Sequence, residues 1–436
     1  MASEKVGLPE SVSMAVGGMV GGGIFAVLGV VAGAAGTLAW LAFVVAGVIA
    51  ACAGYSFVRL NSLTEESSGP IAFVEQFTGR TKLAGMTGWT FIFGYVGTMA
   101  MYAYAFGGYF VELFGVHAVA GIPARPIVSL LTVAAFVGLN VLGAHASGRT
   151  EDVLVALKVL ILLLVGLGGL YYGFTRGQIS FGLGQFGAGP FIAAAISFVA
   201  FEGWELLMFD QDSIVDPEET VRTAIYASIA IATFLYIIVA LVTTNLVEPS
   251  IIQQNSETAL AYAAEWFLGQ RNSIVLISVA ALFSTGSAIN ATLFSSARLA
   301  KQLVSENLLP NQIRGKGDEP VRALLVLGGL TAVFTFFGSL DGIASFASLA
   351  FISIFGAVAF LAFRNRSDSL VTAVVPAVGT LGAAATVVAL LWHLYTAEPD
   401  VFGTVVVIAV AVVAVELLYF EREPLAEEVR EVEEFV

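Results

Sequence analysis

Long apolar windows separated by short polar segments make up most of the chain. About 20 apolar residues in a helix cross a hydrocarbon core of about 30 Å. Twelve such windows are present, at residues 11–35, 37–58, 84–113, 126–145, 153–173, 190–209, 222–247, 273–297, 321–338, 342–363, 370–394 and 401–420. The pattern predicts an all-α integral membrane protein with twelve transmembrane helices. An amphipathic stretch from Ala259 to Leu268 predicts one further short helix on the surface.

The first window contains five glycines between Gly17 and Phe25. Each glycine is roughly 1 kcal/mol worse than alanine inside a helix, so this segment is expected to be interrupted at membrane depth. Irregular backbone at that depth is tolerated where it lines a cavity. The glycine run therefore predicts one half of a solute-binding site.

The sixth window predicts a second break, because Glu202, Gly203 and Glu205 lie in its middle. Many transporters consist of two inverted halves in which corresponding helices are interrupted. With five helices in each half, the sixth window corresponds to the first. The expected organisation is a first half at 1–180, a second half at 181–366, two further helices at 367–420 and an acidic tail at 421–436.

The backbone groups at the two breaks suggest the chemistry of a ligand. Free N–H groups near Gly21, Gly22 and Gly23 suit a carboxylate, as the N-terminus of a helix does. Free carbonyls near Met19, and near Val199 and Glu202 in the sixth window, suit an ammonium group. A molecule that carries both groups on neighbouring atoms is an amino acid.

Composition and charge agree with a membrane protein. Hydrophobic residues make up 58% of the chain and charged residues 12%, with mean hydropathy +0.89. With the N-terminus in the cytoplasm, the predicted cytoplasmic segments hold every lysine and arginine except Arg125, Lys158, Arg176 and Arg271. This bias predicts both termini on the cytoplasmic side of the cell membrane. The tail is interpreted as a solvated segment, with partner binding as the alternative.

Several motifs occur in an order that resembles a known family. They are Gly17 or Gly18 through Phe25, Ser68-Gly69-Pro70-Ile71-Ala72-Phe73, Asn140-Val141-Leu142-Gly143, Phe201-Glu202-Gly203-Trp204-Glu205, Ser284-Thr285-Gly286-Ser287-Ala288-Ile289-Asn290-Ala291 and Pro320-Val321-Arg322-Ala323-Leu324. The chain resembles the amino acid, polyamine and organocation (APC) superfamily from residue 10 to about residue 365. Within it, the chain is most similar to the archaeal proton-coupled amino acid transporters of broad specificity. The resemblance implies a LeuT-like fold with a 5+5 inverted repeat, in which helices 1 and 6 are discontinuous.

The same resemblance implies a substrate site. Amides at Gly22 and Gly23 would bind the substrate carboxylate, and carbonyls at Met19, Val199 and Glu202 would bind its amino group. The family often has an aromatic gate at the position of Val199, so the gate here would be one of its neighbouring phenylalanines. The expected substrate-binding set is Met19, Gly21, Gly22, Gly23, Phe198, Val199, Ala200, Phe201 and Glu202.

Lys158 is the main candidate for proton coupling. On the residues alone, a lysine that snorkels back to water and a functional lysine are equally good interpretations. The resemblance favours function, because sodium-independent members place a helix-five lysine where sodium-coupled relatives hold a cation. Ser284 and Ser287 are the candidate neighbours, although membrane serines often bond within their own helix.

The two glutamates of the sixth window have open roles. Glu205 matches an acidic position of the family and is either a second protonation site or a vestibule charge. Glu202 is not explained by the family pattern. It would favour cationic amino acids if its side chain faces the site, and a water-facing position is the alternative.

These features together predict a secondary transporter that imports amino acids with protons by alternating access. A sodium-independent exchanger or facilitator of the same fold is the alternative, and a membrane sensor or channel is the alternative from another class. The expected partners are an amino acid, protons and the lipid bilayer, and no feature indicates an oligomeric state. The three histidines lack ligand spacing, basic residues are too sparse for nucleic acid, and neither an enzymatic activity nor a cofactor is predicted.

Overall fold

The computed structural model describes residues 5–64, 69–142, 148–185, 187–209, 211–310 and 321–420. Ser68, Gly143 and Pro320 of the motifs above, and the acidic tail at 421–436, lie outside these ranges.

The described residues are mostly helical. The first group of helices is α1 Leu8–Gly18, α2 Ile24–Ala35, α3 Ala39–Asn61, α4 Pro70–Thr78, α5 Thr81–Phe114, α6 Ala124–Val141 and α7 Gly148–Thr175. The second group is α8 Gly189–Ser197, α9 Leu206–Phe209, α10 Pro217–Leu246, α11 Pro249–Gln254, α12 Ala259–Leu268, α13 Gln270–Ser305, α14 Val321–Phe337, α15 Leu340–Arg364, α16 Leu370–Ala397 and α17 Pro399–Phe420. Between α5 and α6 lies an antiparallel hairpin of two strands, β1 Ala118–Val119 and β2 Ile122–Pro123.

The apolar windows fall on these helices, and α12 has the bounds that the amphipathic stretch predicts. Within the described ranges, nine helical segments are long and apolar enough to cross a membrane. One of these runs from Leu8 to Asn61 and includes α1, α2 and α3. The helix α5, rich in glycine and tyrosine, is not among the nine, and α14 is shorter than the others. The chain is therefore a multi-pass, all-α membrane protein.

The predicted interruption of the first helix is wrong. Residues Met19–Gly23 form a π-helical turn that joins α1 to α2, and the dihedral angles of Gly18 and Gly23 stay helical, at φ −63°, ψ −58° and φ −53°, ψ −61°. The cost of glycine in a helix is small enough for packing to override it. Since a π turn is wider than an α turn, the segment remains a local irregularity of the kind often found at functional sites.

The predicted break in the sixth window is confirmed. Helix α8 ends at Ser197, a 3₁₀ turn covers Phe198–Phe201, and Glu202 is extended with ψ 148°. Gly203 follows with φ +123°, a region that residues with a Cβ atom rarely adopt. The same glycine contacts the first helix, because a Cβ atom added at Gly18 would lie 2.8 Å from the Cα atom of Gly203.

Contacts close the bundle around both irregular segments. On the side where α1 begins, the amide of Val6 donates to the carbonyl of Ser213 at 2.8 Å, and the amide of Val215 donates to that of Val6 at 2.9 Å. Beside this bridge, the Nδ2 atom of Asn61 donates to the Oε1 atom of Gln211 at 2.8 Å. At the other end, α2 packs closely on the 3₁₀ turn Ser256–Thr258.

Candidate functional site

Three side chains from three different helices donate hydrogen bonds to carbonyl groups in and beside the π turn of the first helix. The Nζ atom of Lys158 on α7 donates to the carbonyl of Gly17 at 2.9 Å. The hydroxyl of Tyr236 on α10 donates to the carbonyl of Met19 at 2.7 Å, and that of Ser284 on α13 donates to Val20 at 2.8 Å. A carbonyl oxygen has two lone pairs, so it can accept these bonds in addition to a helical one. The first helix is thereby a row of acceptors facing three neighbours.

Lys158 does not reach the surface. Its side chain is 4% exposed, and a Cβ atom added at Gly21 would lie 3.9 Å from its Nζ atom. The snorkelling interpretation is therefore wrong, because the ammonium group is held against the first helix. A buried ammonium group is costly unless polar groups surround it, and the Gly17 carbonyl is one such group.

The two candidate serines of α13 have different surroundings. Ser284 is buried and bonds to the first helix through Val20. Ser287 is half-buried, and no hydrogen bond of its hydroxyl to another described residue is found. Of the two serines, Ser284 is the one that the structure shows hydrogen-bonded to the π turn.

The sixth-window break carries two buried carboxylates. Glu205 accepts hydrogen bonds from the amide of Gly203 at 2.7 Å and from the hydroxyl of Tyr95 at 3.2 Å. Glu202 accepts one from the hydroxyl of Tyr102 at 3.3 Å. Glu202 is 2% exposed and Glu205 is fully buried, so the water-facing alternative for Glu202 is wrong.

The glycines predicted to bind a carboxylate are covered by neighbouring side chains. The ring of Tyr102 lies directly over Gly22, and a Cβ atom added at Gly23 would lie 2.6 Å from the Cα atom of Ala200. Both contacts need the absence of a side chain at the glycine. In this conformation α5, the first helix and the 3₁₀ turn of Phe198–Phe201 close on one another.

The phenylalanines beside Val199 are both fully buried and face different partners. The ring of Phe198 packs edge-to-face on Phe355, with centroids 5.6 Å apart, and Phe201 packs on Tyr236 at 5.3 Å. The Val199 amide donates to the hydroxyl of Ser348 on α15 at 3.0 Å. The broken segment is therefore held by both packing and hydrogen bonds.

Four residues of this site are absent from the sequence prediction, namely Tyr95, Tyr102, Tyr236 and Ser348. A signal for them exists, because a hydroxyl group at membrane depth needs a hydrogen-bond partner. Tyr95 and Tyr102 are seven positions apart, which places them on one face of α5. That spacing points towards the helix-six break, but the partners become visible only in the fold.

The structure is that of a helical membrane protein whose two irregular segments form a buried polar centre. Comparison with known proteins specifies the family. The family model described as amino acid permease matches residues 6–417. The chain belongs to this amino acid permease family, within the APC superfamily.

Three relatives are similar over most of their length. An uncharacterized protein of Methanocaldococcus jannaschii is 33% identical over 356 residues, which cover 81% of this chain and 81% of the relative. The inner membrane transport protein YbaT of Escherichia coli is 29% identical, with 90% and 91% covered. The methylthioribose transporter of Bacillus subtilis is 24% identical, with 82% and 80% covered.

Proposed function

We propose that this protein is a secondary active transporter that imports amino acids across the cell membrane together with protons. The family supports amino acid transport, and the observation that carries the proposal is the set of donors around the π turn. Lys158, Tyr236 and Ser284 donate hydrogen bonds to the first helix, which also packs against the break at Gly203. The two irregular segments bring together the backbone groups to which the proposal assigns the two charged ends of a zwitterion.

The substrate ammonium is proposed to bind the carbonyls of Met19 and Ala200. These two oxygens already lie within reach of one donor, the Tyr236 hydroxyl, at 2.7 and 2.8 Å. Charge-assisted bonds from an ammonium group are stronger than those from a neutral hydroxyl. The substrate carboxylate is proposed to bind the amides of Gly22 and Gly23. Binding then requires Tyr102 and Ala200 to move off these glycines, which is the local part of an opening motion.

The proposed architecture is twelve spans with a 5+5 inverted repeat. Three pairs of helix contacts support it, because each contact recurs when both helices are replaced by their counterparts in the other half: α1 on α10 and α8 on α3, α5 on α6 and α13 on α14, α15 on α5 and α7 on α13. Such reciprocity is expected when two halves share one fold in opposite orientations. Both termini are proposed to be cytoplasmic, on the distribution of basic residues.

Lys158 is the proposed proton carrier. Its ammonium group holds the Gly17 carbonyl, immediately before the π turn. Loss of the proton leaves an amine that binds this oxygen more weakly, since charge-assisted hydrogen bonds are roughly twice as strong as neutral ones. The packing of α7 on α1 would then change with protonation, which couples the proton to the position of the first helix.

Glu202 is the proposed determinant of preference for cationic amino acids. Its carboxylate lies beside Tyr102, whose ring covers Gly22. When Tyr102 moves aside for a substrate, the carboxylate lies near the substrate site. A basic side chain would then pair with it, whereas an apolar one would not.

A binding screen tests the proposed substrate class. Purified protein is titrated with the common L-amino acids and with methylthioribose, and the shift in Tm is measured, because a ligand that binds only the folded state raises Tm. The proposal expects stabilisation by amino acids and none by methylthioribose, which lacks the ammonium and carboxylate groups. Stabilisation by methylthioribose alone would contradict it.

A further inference from the structure

The hydroxyl group of Tyr236 bridges the two irregular segments. It lies 2.7 Å from the carbonyl oxygen of Met19 in the π turn and 2.8 Å from that of Ala200 in the 3₁₀ turn of the sixth window. The ring is fully buried and packs on Phe43 and Phe201, with both centroid distances 5.3 Å. In this structure, aromatic contacts on two sides place the hydroxyl between the two carbonyls.

The number of protons does not match the number of acceptors. A tyrosine hydroxyl has one proton to donate, and two carbonyl oxygens at hydrogen-bond distance share it. An ammonium group has three N–H donors and would satisfy both oxygens fully. The place between Met19 and Ala200 is thus better suited to an ammonium group than to the hydroxyl that occupies it.

We propose that Tyr236 stands in for the substrate ammonium when the transporter closes without an amino acid. A buried carbonyl lone pair that faces no donor is unfavourable, so closure around an empty site requires a donor for these oxygens in addition to any helical bond. The hydroxyl supplies it, and an arriving ammonium group displaces it. Tyr236 is then a positioning residue that permits the empty transporter to reorient. Net uptake requires reorientation of the empty transporter, whereas exchange does not. The inference rests on the proposed function.

The test compares wild type, Tyr236→Phe and a matched control, Tyr109→Phe, in proteoliposomes. Tyr109 is also fully buried, and its hydroxyl lies 3.5 Å from a single carbonyl of the first helix, that of Phe25 outside the π turn. Radiolabelled L-alanine, L-leucine and L-arginine are the probes. Net uptake is measured into vesicles without internal amino acid under an imposed pH gradient, and exchange into vesicles loaded with the same unlabelled amino acid.

Removal of the Tyr236 hydroxyl is expected to separate the two activities. Net uptake by Tyr236→Phe should fall about tenfold or more, as for a buried acceptor left without its donor. Exchange should stay within about twofold of wild type, because the substrate ammonium supplies the donors in both directions. Tyr109→Phe should leave both rates within about twofold of wild type.

A second measurement tests the inference even if Tyr236→Phe reconstitutes poorly into vesicles. In detergent, the three probes should raise the Tm of Tyr236→Phe by more than they raise that of wild type, because only the variant lacks a donor in the empty state. An equal or smaller shift in Tm contradicts the inference. A Tyr236→Phe variant in which net uptake and exchange fall by the same factor also contradicts it, as does one in which both rates stay at the wild-type level. A wild type that exchanges amino acids without any net uptake also contradicts it, while the proposed amino acid transport stands. If the wild-type protein neither binds nor transports the probes, the proposed function itself is contradicted.

Discussion

The side-chain nitrogen of Lys158 lies 2.9 Å from the carbonyl oxygen of Gly17 and donates a hydrogen bond to it. The lysine belongs to α7 and the carbonyl to the last turn of α1, so one hydrogen bond joins the first helix to a neighbour just before the π turn. An ammonium group buried at this depth is unfavourable without such partners. The fold of the bundle therefore determines the position of this ammonium group. A change in its charge would alter its hydrogen bond to the helix that carries the proposed site.

The variant Lys158→Ala should lose amino acid accumulation driven by a pH gradient while remaining folded. Removal of the amine removes the group that would carry the proton, and the expected fall in accumulation is about tenfold or more. The measurement is uptake into proteoliposomes with the pH gradient imposed and then collapsed. Lys82→Ala, a substitution of an exposed lysine at the start of α5, is the control. Undiminished proton-driven uptake by Lys158→Ala would exclude the lysine as the coupling site.

The variant Gly23→Ala should lose amino acid binding. Its Cβ atom would meet the backbone of Ala200 at 2.6 Å, and backbone cannot rotate away as a side-chain end can. Overpacking of this kind costs about 1–3 kcal/mol, and the same methyl group obstructs the approach of a substrate carboxylate to the Gly23 amide. Gly33→Ala on α2 is the matched control, because its Cβ atom would meet no other group. Binding by thermal shift should be lost in the first variant and kept in the second, and equal behaviour of the two would remove Gly23 from the site.

The variant Ser284→Ala should weaken binding modestly. It removes the hydroxyl that donates to Val20 in the π turn, and a hydrogen bond of this type contributes about 1 kcal/mol, or roughly fivefold in affinity. Ser278→Ala is the control on the same helix, since the buried Ser278 hydroxyl has no hydrogen-bond partner among the described residues. Titration calorimetry with L-alanine and L-leucine compares the two. A larger loss in Ser278→Ala than in Ser284→Ala would contradict the assignment.

The variant Glu202→Gln should reduce the affinity for L-arginine relative to L-leucine. Glutamine can still accept the hydrogen bond from Tyr102, so the packing over Gly22 is retained while the charge is removed. Hydrogen bonds to charged groups contribute about 1.5–3 kcal/mol, which corresponds to a relative loss of about tenfold or more. Competition between the two amino acids for one labelled probe gives the ratio directly. A ratio equal to that of wild type would show that Glu202 does not recognise a basic side chain.

The sequence is sufficient to predict the helices and the break at Gly203. The length of an apolar window and a pair of carboxylates in its middle are both local signals. Prediction from the sequence fails at Met19–Gly23, where the five glycines between Gly17 and Phe25 predict an interruption and the chain forms a π turn. Tertiary contacts decide that segment, since Gly18 lies against Gly203 and Gly23 against Ala200. The hydrogen-bond partners of Tyr236 are not visible in the sequence for a similar reason. Its hydroxyl bonds to the carbonyls of Met19 and Ala200, which are far from it in the chain and from each other.

Accumulation of an amino acid by the wild-type protein in proteoliposomes tests the central claim most directly. Vesicles without internal amino acid are placed in a more acidic medium that contains labelled L-alanine, L-leucine or L-arginine. The account predicts transient accumulation above the external concentration and its loss when a protonophore collapses the gradient. Uptake that merely equilibrates, or that requires internal amino acid, would contradict proton-coupled import.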